Sequence, residues 1–394
     1  VAVSTLGYGA RRRAIQRLHR ESEPTPCLPT WGGSIEGLTR HRLHVNGRGL
    51  VGNARGPARY ATELVHAIAV SGLFDLVIHV PSDAPRVLPA WTKCPWVEVR
   101  RARSSGAVFE QCHLPIATVG RRLLNFGGSA PLFKRRQLVT MFDATPFRRP
   151  RGFGWMFVAR QYVTYRWLAR IAEGLLTVSV FSAHELSDVL RVDVDRFIVA
   201  PGAADELSGV RPVNPGLQLC GDHYLVIGSA ARHENVCRAV ETIARSGRSA
   251  VVAGTRGEPG VLAGSSAWGE KVAVTEDLTD AELVWLLRNS RALVFPSTYE
   301  GFALPVLQAQ ALGCPVVCSD SAALPEVGGD GALYFDPDDP EMLLAQLDRI
   351  DSEPDLVDDL RRRGLANARR RSWRASGEKV LEWASAPTRA HRQA

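Results

Sequence analysis

The sequence predicts an α/β protein built from two Rossmann-like, doubly wound parallel-sheet domains that face each other across a cleft. Three observations carry this. Residues 222–372 alternate short apolar runs with helix-length segments, the pattern of strands buried on both faces and joined by helical crossovers. A similar but more widely spaced series runs from Leu43 to Ala200. Between the two, residues 206–221 collect Gly209, Pro212, Pro215 and Gly216, which read as a linker. At 394 residues the chain has material for two or three cores.

Taken in order, residues 1–40 hold a basic segment from Ala10 to Arg20 and then Pro24, Pro26 and Pro29. No apolar stretch of the kind a secretory signal needs follows the arginines, so they read as a loosely ordered extension with at most a short surface helix. The first domain, 41–205, opens with a strand at Leu43–Asn46, a glycine-rich loop, and a helix from about Ala58 to Val70. Gly47, Gly49 and Gly52 have the spacing of a dinucleotide fingerprint. However, Pro57 starts the helix too late, and the strand Leu76–Val80 ends without the acid that would hold a ribose. A nicotinamide or flavin role is therefore set aside. Strands are expected at Trp96–Arg100 and Leu138–Asp143, a long helix over Trp155–Ala172, then strands at Gly174–Ser179 and Phe197–Ala200.

In the second domain, strands are expected at Tyr224–Ile227, Ala250–Ala253, Lys271–Thr275, Ala292–Phe295, Pro315–Cys318 and Leu333–Phe335. Helices over Pro340–Asp351 and Asp355–Arg370 close it, and a helix over Trp373–Ala384 begins the segment 373–394.

Composition narrows the function. No apolar run approaches the ~18 residues of a membrane-spanning helix. Seven scattered cysteines, some within apolar runs, favour reduced thiols and a cytoplasmic setting, and their spacing matches no zinc motif. Charge is divided unevenly: residues 1–200 hold 28 Lys/Arg against 14 Asp/Glu, and residues 201–394 hold 20 against 27. A basic first half invites an anionic partner, such as a membrane surface at the inner face of the cell or an acidic glycan, or else is a solvated arginine-rich face. Nucleic acid fits less well, because no binding module or aromatic/basic stripe accompanies the charge. Asp193 and Asp195 read as a solvated turn, and Asp336 to Asp339 as a helix-capping loop.

Chemistry concentrates between Arg291 and Val317. A buried strand ends at Pro296, a loop runs from Ser297 to Ala303, and Pro305 and Gly313 bracket a helix over Leu304–Leu312. A helix N-terminus at the carboxyl end of a parallel strand is an anion site, and phosphate is its expected guest.

Tyr299-Glu300-Gly301-Phe302-Ala303-Leu304-Pro305, continued through Ala309 to Val317, resembles the donor signature of the retaining family 4 (group 1) glycosyltransferases of GT-B fold. Asn46-Gly47-Arg48 through Arg59-Tyr60, Phe109-Glu110-Gln111 with Leu114-Pro115, and Phe181-Ser182 resemble other segments of rhamnosyl- and mannosyltransferase-like members. The resemblance covers about residues 41–386. It implies transfer of a hexose from a nucleoside diphosphate sugar to a lipid-linked or polysaccharide acceptor, as in lipopolysaccharide synthesis, with retention of configuration. No cofactor or metal is implied. Glu300 would hold the sugar, and Tyr299 with Gly301 to Leu304 would line the diphosphate. Gln308 would meet the ribose, Asp143 would serve as the second catalytic residue, Gly49 would approach the donor, and Arg232 or Arg256 would carry phosphate charge.

Three positions depart from the family pattern. Phe142 replaces a histidine, Glu234 a phosphate-gripping lysine, and Gln308 a glutamate. A carboxylate cannot stand in for that lysine, because like charges at 4 Å cost about 4 kcal/mol at an effective dielectric of 20. Glu234 must turn away or phosphate binding is lost. The departures keep a second reading open, a GT-B relative without catalysis that acts as a binding or partner subunit. Base, sugar, acceptor and oligomeric state are not legible in the sequence.

Overall fold

A computed structural model describes residues 41–50, 56–217, 222–229, 231–254, 268, 271–275 and 278–387. Two α/β halves are seen. In the first, strands β1 (His41–Asn46), β2 (Phe74–Val80), β3 (Val97–Arg101), β4 (Leu123–Asn125), β5 (Gln137–Thr140), β6 (Gly174–Thr177) and β7 (Phe197–Val199) form a parallel sheet. Its order is β3-β2-β1-β4-β5-β6-β7. The second sheet comprises β8 (His223–Ile227), β9 (Ser249–Ala253), β10 (Val272–Thr275), β11 (Leu293–Phe295), β12 (Val316–Ser319) and β13 (Leu333–Phe335). Its order, β10-β9-β8-β11-β12-β13, reverses direction between β8 and β11, as the first sheet does between β1 and β4. Loops leaving the carboxyl ends of strands at such a reversal diverge and open a crevice.

The helices that position the site are α1 (Pro57–Ser71), α2 (Trp155–Ile171), α3 (Val180–Leu190), α4 (Val236–Arg245), α5 (Asp280–Asn289) and α6 (Leu304–Ala311). They are followed by α7 (Leu324–Gly328), α8 (Pro340–Ser352), α9 (Pro354–Arg369) and α10 (Trp373–Ser385). α1 starts at Pro57, where the missing N–H costs nothing, and stops at the left-handed Gly72. Ser179 caps α3 by accepting the Ser182 N–H at 2.9 Å. Asp339 caps α8 through the Glu341 and Met342 N–H groups.

The structure corrects several expectations. β4 was not foreseen; it is three residues long, contains Asn125, and lies between an arginine pair and a glycine pair. The strand expected at Leu138–Asp143 ends at Thr140; Met141 stays in the core, and half-buried Phe142 and Asp143 continue into the loop that meets Gly301. Cys94 is disulfide-bonded, whereas Cys112, Cys237, Cys314 and Cys318 are free. The expectation of reduced thiols thus holds at four of the five described cysteines and fails at Cys94. The extension 1–40, with its expected helix and Cys27, lies outside the described residues.

α10 lies against the first half of the molecule. A Cβ on Gly377 would lie 3.5 Å from Ala67 of α1, and the Lys379 ammonium donates to the Val199 carbonyl at 2.7 Å. Arg122 stacks 4.9 Å from the Trp383 ring and donates to the carbonyls of Ala384 and Ala386, both at 2.7 Å.

Candidate active site

The crevice is assembled from loops at both sheet reversals. In the first half, the glycine loop after β1 approaches the loop after β4. A Cβ on Gly49 would lie 3.1 Å from the Gly127 Cα, so both glycines permit the approach. Buried Glu110 ties these parts together: it accepts from Arg48 at 2.8 Å, Ser129 Oγ at 2.6 Å and Asn46 Nδ2 at 3.3 Å. Glu110 lies in a five-residue π-helical turn, Phe109–His113, a local widening often found at functional sites.

In the second half, the loop after β8 meets the loop after β11, where Thr298 donates its N–H to the His233 carbonyl at 2.7 Å and its hydroxyl at 3.0 Å. Glu234 turns back on this loop. Its carboxylate accepts the N–H of Ser229 and, at 2.8 Å, the Ser229 hydroxyl. Arg232 lies on the same turn, with its side chain outside what the structure describes; Arg256 and Gly52 are outside the described residues altogether.

The signature loop bridges the halves. The Gly301 carbonyl accepts from Ser179 Oγ at 2.6 Å and Ser182 Oγ at 3.1 Å. A Cβ on Gly301 would lie 2.7 Å from the Asp143 Cβ and 3.1 Å from the Phe142 carbonyl oxygen, so only glycine lets the loop reach Asp143. Phe302 and Leu304 direct their side chains at Gly202 of the first half. Ala303 precedes α6 in the left-handed region at φ 63°, a conformation an L-residue adopts at a cost of about 1–2 kcal/mol. Tyr299 is buried, its hydroxyl donating to Glu185 at 2.9 Å, and burial raises its pKa.

Glu300 and Asp143 stand on opposite walls. Burial pushes the Glu300 carboxyl up to about 8, the Glu234 and Asp143 charges add to the rise, and a hydrogen bond with Ser297 opposes it. Glu300 is thus a proton-bearing group near neutrality, able to donate as well as accept. Asp143 accepts the Thr145 N–H at 2.7 Å, which fixes its carboxylate. Phe142, where the family pattern has a histidine, is half-buried and edge-on to Tyr60 at 5.5 Å.

Gln308 is buried, and its Nε2 donates to Glu206 at 3.2 Å. The same Glu206 carboxylate accepts from Arg59 Nε at 3.1 Å and from Trp373 Nε1 at 2.9 Å. A glutamate at position 308 would set two carboxylates against each other, which gives the amide a physical reason. Sequence reasoning placed Glu206 in a linker and missed it; no local pattern distinguishes a buried junction acid from a solvated one. Among the described residues, no group of three or more His, Cys, Asp or Glu is arranged to hold a metal ion.

Residues 224–371 match the family described as glycosyl transferases group 1. An O-antigen chain mannosyltransferase B of Escherichia coli is 32% identical over 226 residues, covering 51% of this chain and 58% of that protein. The O-antigen chain mannosyltransferase RfbU of Salmonella typhimurium is 24% identical over 233 residues, covering 57% and 63%. The chain therefore spans less than two thirds of the length of each of these curated relatives. Among solved structures, Anabaena HepE in complex with UDP and glucose superposes with a TM-score of 0.68 at 13% identity, covering 89% of this chain and all of that one. The fold is thus GT-B, and residues 224–371 are similar to the group 1 glycosyl transferases.

Proposed function

We propose that the protein transfers a hexose, mannose by analogy with its relatives, from a nucleoside diphosphate sugar to a lipid-linked or polysaccharide acceptor, with retention of configuration and without a metal. The names of the two mannosyltransferases support the sugar, and the UDP and glucose held by HepE support the donor class. The observation that carries the reading is the meeting of Gly301 with Asp143, which sets Glu300 and the start of α6 opposite the first domain's loops.

In this reading the α6 N-terminus and the Gly301–Leu304 backbone hold the diphosphate, and Glu300 binds sugar hydroxyls. The bond from C1 to the diphosphate oxygen breaks with its electron pair leaving on phosphate. The acceptor oxygen bonds C1 from the same face, and its proton passes to a phosphate oxygen. Positioning and electrostatics supply the acceleration, and Asp143 orients the acceptor.

Calorimetric titration with GDP, UDP, dTDP and CDP, with and without magnesium, tests the donor half. One nucleotide is expected to bind at micromolar affinity in both conditions, and Glu234→Lys to bind it about tenfold more tightly, because a repelling charge becomes an attracting one. If wild type and Glu234→Lys both fail to bind any of the four, the reading fails. If only the lysine variant binds, the partner-subunit alternative takes its place.

A further inference from the structure

We infer that the outer face of α2 docks on an anionic lipid bilayer. This helix is apolar on both sides. Tyr165, Leu168 and Ala169 turn inward onto Met141, Leu175, Leu186 and Leu190. At 3.6 residues per turn, Trp155, Met156, Arg160, Val163, Trp167 and Arg170 occupy the opposite arc. Trp155 is 78% exposed and Met156 and Val163 67% each, and the 83%-exposed Phe133 extends the patch by packing edge-on to Trp167 at 6.5 Å. A surface helix ordinarily turns polar residues outward, so an apolar outward arc requires a cover.

Charge selects the cover. Residues 144–172 contain six arginines and no acidic residue. Arg149, Arg151, Arg160 and Arg170 are exposed. The neighbouring acids are already engaged: Glu185 and Asp188 pair with Arg148, and Glu173 with Arg122. A second copy of the chain would bring two such arginine sets together with nothing between them. An anionic bilayer instead takes tryptophan and methionine at the acyl boundary and guanidinium groups at the phosphates. The Arg160 guanidinium already lies 6.0 Å from the centre of the Phe157 ring.

Position adds a consequence. Phe153, just before α2, stacks on Phe157 at 5.6 Å and on His233 across the crevice at 6.5 Å. The patch therefore ends at the crevice rim, where a bilayer would present a lipid-borne acceptor. Docking itself requires no donor or transfer and is read independently of them.

The test is flotation of the full chain with phosphatidylglycerol-containing or pure phosphatidylcholine vesicles, at low and high salt, with sedimentation equilibrium alongside. Wild type is expected to float with the anionic vesicles only, and less at high salt. Trp155→Ser combined with Met156→Ser should reduce binding at least tenfold, and Arg160→Gln or Arg170→Gln roughly fivefold each, with melting curves unchanged. The inference is overturned if wild type does not float, if it floats equally with uncharged vesicles, or if the folded α2 variants bind as wild type does. Concentration-dependent dimers that the Trp155/Met156 variant abolishes, without vesicle binding, would overturn it in favour of a second copy.

Discussion

At the scale of single residues, the site is held by groups kept away from their preferred states. Glu300 has a folded pKa near 8 and an ordinary one near 4.5. Between those values the unfolded chain has released the proton and the folded chain keeps it, so stability falls as pH rises through that window. Glu300→Gln is expected to raise stability by roughly 1–3 kcal/mol at pH 8 and little at pH 4.5, read by urea unfolding at both. Equal gains at the two pH values would contradict a raised pKa. Glu300→Ala should abolish transfer with the fold intact, and unchanged turnover would remove it from the mechanism. Ala303, at φ 63°, should gain about 1 kcal/mol on replacement by glycine. The position of Glu300 in the loop after β11 was legible from its motif. The strain at Ala303 was not, because alanine carries no sequence mark of a left-handed backbone.

At the scale of elements, strands and helices were readable to within a few residues wherever apolar burial wrote the pattern. β9 (Ser-Ala-Val-Val-Ala) and β12 (Val-Val-Cys-Ser) are runs of small, mostly apolar residues because helices cover both faces. β4 escaped because three residues cannot show a period. Polar pairs inside the first sheet were equally silent. His44 on β1 and His79 on β2 are buried, with Nδ1 of the first 2.9 Å from Nε2 of the second. Burial lowers both to about 4, with neighbouring arginines contributing, and the other histidine adding at His79. The unfolded chain takes up these protons from about pH 6.5 downward while the folded chain resists. Stability is therefore full above that pH and lost toward 4, at up to about 1.4 kcal/mol per pH unit for each histidine. Replacing both with leucine should flatten the acid limb of a stability–pH curve, and an unchanged limb would assign it to other groups.

At the scale of the whole molecule, the halves are fastened by contacts that no local pattern announces. Glu326 of α7 accepts the Val180 and Phe181 N–H groups, both at 2.9 Å, so one half supplies the carboxylate that caps a helix of the other. Arg59 of α1 is buried and reaches Asp280 of α5 through both terminal nitrogens, at 2.8 and 3.1 Å, while its Nε holds Glu206. Removing one partner of a buried pair leaves the other charge desolvated and unmatched, at about 3–5 kcal/mol when burial is complete. The Asp280 side chain is 45% exposed, so the smaller part of that cost falls on it and the larger on Glu206. Arg59→Met is therefore expected to destabilise by roughly 2–4 kcal/mol, and adding Glu206→Gln to recover about half, since Trp373 and Gln308 can still bond the amide. The same single variant should weaken donor binding, because a loosened junction must first bring Gly301 back to Asp143 at a cost in free energy. Urea unfolding and nucleotide titration of the two variants separate these effects. A double variant no more stable than Arg59→Met would show that the arginine acts through packing alone, and unchanged nucleotide affinity would show that the junction does not set the crevice.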